Sequence, residues 1–257
     1  VKYSIIKENN FSFIETMPGS NDSPLILLHG LMGALSNFEN ILDYFGSKIN
    51  VVVPLLPIFE MPLKKVSVEG LVEYVHSFIV YKNYSKANLL GNSLGGHICQ
   101  LITLEYPGLI NTVTLTGSSG LFESAMGNTF PKRGDKDFIR RKTEMVFYDP
   151  KCASEELINE VYDTVNDLGK AIRIVKTAKS AVRHNLEDKL SKINHPVLLV
   201  WGKDDEVTPA WVGEKFHELL PNSELHLFDK CGHVPMMEHP EKFNLILESF
   251  LKKYRQT

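Results

Sequence analysis

Residues 89–100 read LLGNSLGGHICQ, and no other stretch constrains the fold as much. Two leucines end an apolar run, and a second apolar run with helical spacing starts after Gly96. Between them a single serine, Ser93, stands among Gly91, Gly95 and Gly96. A plain turn needs one glycine, or two. Glycine two positions before the serine, and again two and three positions after it, suits a reversal in which a strand and a helix pack too closely for side chains. The stretch therefore predicts a buried strand, a sharp turn that holds Ser93 in a strained posture at the edge of a sheet, and a helix immediately behind it. The amide-rich start of that helix would favour negative charge developing at the serine.

The rest of the chain fits this unit. YSIIKE and FSFIE flank Asn9-Asn10, a pair that tolerates positive φ, and predict an antiparallel hairpin. Short apolar runs, broken only by Asn88 and Thr114, follow at 25–28, 51–53, 88–90, 113–115 and 197–201, with a further strand at 225–228. Unbroken runs suit strands covered on both faces. Helical patterns alternate with them: one capped by Ser67 and carrying Leu71, Val72, Val75 and Ile79, one over 94–106, one starting at Pro209, and one starting at Pro240 with Phe243, Ile246, Leu247, Phe250 and Tyr254 on a stripe. This order predicts an α/β fold with a mostly parallel eight-stranded sheet and helices on both faces. The interval 121–185 breaks the alternation. It reads as helices only, over 138–147, from a Ser154 cap through Leu157, Ile158, Val161 and Val165, and over 172–182. The expected organisation is a core of residues 1–120 and 186–257 with a helical cap of residues 121–185.

Composition narrows the partners. Of 257 residues 43% are apolar, enough for a large core, and the net charge is −3 with no run of lysine or arginine. That argues against nucleic acid or an anionic membrane as the main partner. No apolar run is long enough for a membrane span. The N-terminus has no apolar core of the signal-peptide kind. Three widely spaced cysteines, Cys99, Cys152 and Cys231, suit a reducing compartment and hence a cytoplasmic location. No nucleotide loop is present, and His217-Glu218-Leu219-Leu220 lacks the second histidine of a zinc helix. Neither a cofactor nor a metal is expected.

Gly91-Asn92-Ser93-Leu94-Gly95 fits G-x-S-x-G in the strand–turn–helix setting that makes the serine a candidate nucleophile. A serine needs a base, and the base needs an acid to orient it. Among nine histidines, His233 stands out because Gly232 bends the chain just before it in a loop after the last strand, where α/β folds carry their sites. His97 lies inside the helix behind the serine and reads as a neutral packing residue. The acid comes from VLLVWGKDDEVTP, in which Asp204 and Asp205 follow the end of a strand. One of the two suffices, and the other is a turn residue. The chain order is serine, aspartate, histidine.

These motifs, taken with LILLHGLMG, resemble the α/β-hydrolase superfamily in its subgroup with a helical cap, over nearly the whole chain. The resemblance implies Ser93 as nucleophile and His233 as base. It also selects Asp205, four residues after Trp201 and closed by Pro209, as the acid. It further implies an oxyanion hole made by the backbone N–H groups of Leu94 and Leu31, supported by His29, Gly30, Gly91, Asn92 and Gly95. A serine in place of an aspartate separates the chain from the dehalogenase and epoxide-hydrolase branches. VFYDPKCASEELINEVYDTV and the KCGH loop are also similar to the meta-cleavage-product hydrolases, which break carbon–carbon bonds in ring-fission products, and Asn92 agrees with them. Val161 stands where that family carries an arginine, Val234 where it carries a tryptophan, and HGLMG is shorter than that family's loop. The expectation is therefore a hydrolase of small to medium, largely apolar carboxylic esters. Carbon–carbon hydrolysis is the alternative, and a slow-turnover small-molecule receptor on the same fold is a third reading. The partner is a small molecule, and the oligomeric state is not encoded in these motifs.

Overall fold

Asn9 and Asn10 take φ of 45° and 69°, the two positive values that close a tight hairpin. They join β1 (Ile6–Glu8) to β2 (Phe11–Glu15) in the computed structural model, which describes residues 3–20, 22–32, 35–122 and 133–254. The chain continues through β3 (Leu25–Leu28), α1 (Glu39–Phe45), β4 (Val51–Pro54), α2 (Val68–Tyr81), β5 (Ala87–Asn92), α3 (Leu94–Glu105) and β6 (Ile110–Thr116). Then come α4 (Lys136–Glu144), α5 (Glu155–Asn166) and α6 (Leu168–Arg183), with no strand among the described residues between them. It closes with β7 (Val197–Gly202), α7 (Ala210–Leu219), β8 (Ser223–Phe228), α8 (Pro235–Glu238) and α9 (Pro240–Lys253).

The eight strands form one sheet in the order β1-β2-β4-β3-β5-β6-β7-β8. β1–β2 and β2–β4 pair antiparallel, and every later pairing is parallel. The expected fold class is the observed one. Alternation along each strand feeds two separate cores. Ile26, Leu28, Leu89, Val113, Leu199 and Trp201 pack with α2, α3 and α7. Leu25, Leu27, Val51, Leu90, Leu198 and Val200 pack with α1, α8 and α9. Both faces of the inner parallel strands β3, β4 and β7 are thus dry, which explains their apolar runs.

After β3 the chain steps to β4 on one side, and later to β5 on the other. The loops leaving the carboxyl ends of β3 and β5 therefore diverge across the sheet. Open α/β sheets hold ligands in the crevice at such a switch point. One loop carries His29, Gly30 and Leu31, and the other carries Ser93.

The helices start where capping chemistry places them. Ser67 Oγ accepts from the Gly70 N–H at 3.1 Å, and Ser154 Oγ accepts from the Leu157 N–H at 3.2 Å. Several elements differ from the expectation: α4 ends at Glu144, short of 147, and α6 begins at Leu168, ahead of 172. The first strand begins at Ile6, not Tyr3, because Tyr3 turns away to donate its hydroxyl to the Leu42 carbonyl on α1. The four-residue α8 has no counterpart in the sequence reading, being too short to leave a periodic pattern.

Candidate active site

Ser93 is the single residue between β5 and α3, and its backbone sits at φ 54°, ψ −120°. A non-glycine residue holds such a conformation only where its surroundings enforce it. The enforcement is visible in the neighbouring glycines. A Cβ on Gly95 would lie 1.9 Å from the Leu28 carbonyl oxygen, and one on Gly91 would lie 2.3 Å from the Gly95 carbonyl carbon. Helix α3 is therefore pressed against β3 and β5, and Ser93 absorbs the bend. Its N–H is held by the Thr116 carbonyl at 3.1 Å, and its carbonyl accepts from the Ser119 N–H at 3.2 Å.

Asn92 ties three segments together. Its amide nitrogen is 3.0 Å from both the Thr116 carbonyl and hydroxyl oxygens, and 3.1 Å from the His233 carbonyl. The end of β5, the end of β6 and the loop carrying His233 are thus pinned to one buried amide.

Asp205 and His233 are brought together at the carboxyl edge. His233 Nδ1 lies 2.9 Å from Asp205 Oδ2, and both side chains are almost fully buried. The carboxylate has its other partners in its own loop: the Val207 N–H at 2.8 Å, the Thr208 N–H at 2.9 Å and the Thr208 hydroxyl at 2.9 Å. An ionised carboxylate only accepts, so His233 donates from Nδ1 and Nε2 is left as the ring's basic nitrogen. Asp204 points elsewhere. Its N–H donates to the Cys231 carbonyl at 2.9 Å, and its carboxylate accepts from the Cys231 N–H at 3.3 Å, which fastens the loop before His233.

Ser93 and His233 line the same cavity of about 250 Å³. Gly30, Leu31 and Met32 border it from the loop after β3, and a Cβ on Gly30 would touch the Ser93 Cβ at 3.2 Å. Among the described residues neither the Leu31 nor the Leu94 backbone N–H donates to a protein acceptor. His29 sits just outside the cavity. Its Nε2 accepts from the Leu56 N–H at 3.2 Å, so Nδ1 carries the proton and donates to the Gly30 carbonyl at 2.9 Å. Burial lowers its pKa, so it stays neutral and braces the loop. Gly33, the end of the HGLMG stretch, lies outside the described residues. Most of the remaining wall is apolar and comes from the helices between β6 and β7, including Phe138, Ile139, Leu157, Val161, Val165 and Ile174. Lys142 of α4 also reaches it, and among the described residues no carboxylate does.

Other titratable groups nearby are kept inert. Burial lowers the pKa of His97 to about 4, and its ring meets the His184 carbonyl at 2.9 Å, so it is a neutral packing residue. Burial first, then the Glu238 and Asp205 carboxylates, push the Cys231 thiol up, which leaves it protonated beside the site.

Three supporting residues have no signal in the sequence reading. Thr208 is one, and an Asx-type turn of Asp205 with a hydroxyl three residues on could have marked it. Gly117, at φ 47°, is another: a Cβ there would lie 2.6 Å from His233 Nδ1, so the histidine ring packs flush on bare backbone. The third is Glu238 on α8. Its carboxylate accepts from the Gly232 N–H at 2.6 Å and the Tyr148 N–H at 2.7 Å, while the His233 N–H donates to the Val146 carbonyl at 2.8 Å. The segment after α4 is therefore stitched to the His233 loop.

A hydroxyl and a carboxylate-oriented imidazole on one largely apolar cavity suit nucleophilic attack with general-base assistance. No helix among the described residues is long and apolar enough to cross a membrane, and none of their His, Cys, Asp or Glu groups clusters to hold a metal ion.

Comparison with known proteins agrees with the fold. The chain is 39% identical to an alpha/beta hydrolase enzyme, MGS-MChE2, from the metagenome of lagoon sediments at Mar Chica, Morocco. That structure superposes with a TM-score of 0.80, covering 97% of this chain and 98% of the other. It is 26% identical over 255 residues to a 2-hydroxy-6-oxononadienedioate/2-hydroxy-6-oxononatrienedioate hydrolase of Pseudomonas, covering 91% of this chain and 90% of that protein. It is 24% identical to a monoacylglycerol lipase of Xenopus laevis, covering 100% of this chain and 83% of that one. The family model described as the alpha/beta hydrolase family matches residues 25–244, and with fold and relatives in agreement the chain belongs to that family.

Proposed function

We propose that the protein is a serine hydrolase of small to medium, largely apolar carboxylic esters. The observation that carries this reading is the placement of Ser93 and the Asp205-oriented His233 on one apolar cavity. In the proposed reaction His233 Nε2 takes the Ser93 proton as Oγ attacks the ester carbonyl. The same nitrogen then protonates the departing alkoxide. Water, deprotonated in its turn by Nε2, releases the acid and restores Ser93. Asp205 holds the ring in the right tautomer and stabilises the imidazolium. The Leu31 and Leu94 amides take the oxyanion, and loss of one such donor costs about 10²–10³ in rate. Residues 121–185 act as a cap that sets substrate shape, over a core of residues 1–120 and 186–257. The apolar wall supplied by α4, α5 and α6 supports that role.

A second reading is hydrolysis of a carbon–carbon bond in a ring-fission product, as the name of the Pseudomonas relative suggests. One observation favours it: Lys142 puts a cation on a cavity wall that carries no carboxylate among the described residues, where a substrate carboxylate could pair. A single panel decides between them. Steady-state turnover is measured on p-nitrophenyl esters of graded length and on a 2-hydroxy-6-oxo-dienoate. Faster turnover of the esters supports the first reading, and faster loss of the dienoate chromophore supports the second. One slow event without further turnover on either would refute both and indicate a receptor.

A further inference from the structure

We propose that the outer face of α6, with the turn at Leu63–Lys65, is a docking surface for an anionic lipid bilayer, which delivers apolar substrate to the cavity on the other side of the same helix. The delivery step rests on the hydrolase reading above, whereas the docking does not.

Helix α6 buries Ala171, Ile174, Thr177, Ser180 and Ala181, and Ile174 borders the cavity. Helical spacing then puts Leu168, Ile172, Lys179 and Val182 on the opposite, solvent side. A solvent face is expected to be polar. Here Leu168 and Val182 are each 58% exposed and Ile172 is 46% exposed. Leu63, also 46% exposed, is held against α6 because the Lys176 ammonium donates to its carbonyl.

The charge around this apolar strip is one-sided. Residues 63–73 and 167–183 hold seven cations, Lys64, Lys65, Lys170, Arg173, Lys176, Lys179 and Arg183, against three carboxylates. All three carboxylates are engaged: Glu69 with Ser180 and His184, Glu73 with Lys65, and Asp167 with the Lys170 N–H at the start of α6. The whole-chain charge of −3 hides this local excess.

Exposed aliphatic side chains flanked by cations match the interfacial zone of a bilayer, where the chains enter the acyl boundary and the cations meet lipid phosphates. Nucleic acid would use the cations but leave the aliphatic side chains without a partner. A second copy docked about a two-fold axis would set like charges against each other.

The test is flotation of the full chain with vesicles of phosphatidylcholine alone or mixed with phosphatidylglycerol, at low and high salt. The expected result is binding that requires phosphatidylglycerol and weakens with salt. Combining Leu168→Asp, Ile172→Asp and Lys179→Glu should lower the bound fraction about tenfold or more. The same variant should hydrolyse a water-soluble short ester within about twofold of wild type, since the three sites are exposed. Leu245→Asp, at an exposed site on α9, should bind vesicles like wild type, and so should Ser93→Ala, which keeps this test separate from the catalytic reading. Absence of phosphatidylglycerol-dependent binding, undiminished binding by the triple variant, or a wild-type dimer that the triple variant abolishes would each overturn the proposal.

Discussion

His233 Nδ1 and Asp205 Oδ2 lie 2.9 Å apart in a region closed to solvent, while the adjacent Asp204 carboxylate turns to the Cys231 amide. Neighbouring side chains leave the backbone in different directions, so two consecutive aspartates take separate tasks. Asp205→Asn should keep the shape and lose the orienting charge. A loss of about 10⁴ in kcat is expected by analogy with the serine protease triad. Asp204→Asn should stay within about tenfold, since an amide oxygen can still accept from the Cys231 N–H that fastens the loop. Ester kinetics beside thermal melts on both variants check this. The reverse pattern would move the acid by one residue.

Thr208 supports the same carboxylate through its hydroxyl and its N–H. Thr208→Val removes one hydrogen bond to a buried charge and should cost about 1.5–3 kcal/mol in a denaturant titration. Thr208→Ser should recover most of that loss, because the hydroxyl remains.

Two glycines give a test of the elbow's packing. Gly95→Ala would drive a methyl group into the Leu28 carbonyl, whereas Gly108→Ala meets nothing within 4 Å. The first should destabilise by about 1–3 kcal/mol or more and the second should be nearly neutral. Equal melting temperatures would mean that α3 is not pressed on β3.

Much of the fold is legible in the sequence because its cause is local. Leu25–Leu28 and Val197–Gly202 are buried on both faces, and an unbroken apolar run records that directly. The crowding of Gly91 and Gly95 around Ser93 records the elbow in the same way, since only glycine fits. The motif residues Ser93, Asp205 and His233 also lie in three loops at one sheet edge, and their order along the chain follows from the strand order. Contacts between distant segments leave no such trace. Glu238 reaches Tyr148, 90 positions away, and nothing in either residue's neighbourhood announces the pairing. The basic face of α6 is hidden for a related reason: a whole-chain charge averages over faces that never meet.

Val161 and Ile139 line the cavity from α5 and α4. If the inserted helices set substrate range, Val161→Phe should reduce kcat/KM for long-chain esters at least tenfold more than for acetate, an order set by the cost of overpacking a filled pocket at about 1–3 kcal/mol. Parallel loss on both esters would mean that the substitution disturbs the fold and leaves chain-length preference untouched.

The proposed reaction turns on a bond from Ser93 Oγ to the substrate's acyl carbon, and covalent capture reads that bond directly. The intact protein is treated with a fluorophosphonate, and the adduct is mapped by peptide mass. One adduct is expected, on Ser93, absent in Ser93→Ala, with activity falling by about 10⁶ in that variant as in a serine protease that has lost its nucleophile. Labelling that persists in Ser93→Ala, or an adduct on another residue that tracks inactivation, would contradict it.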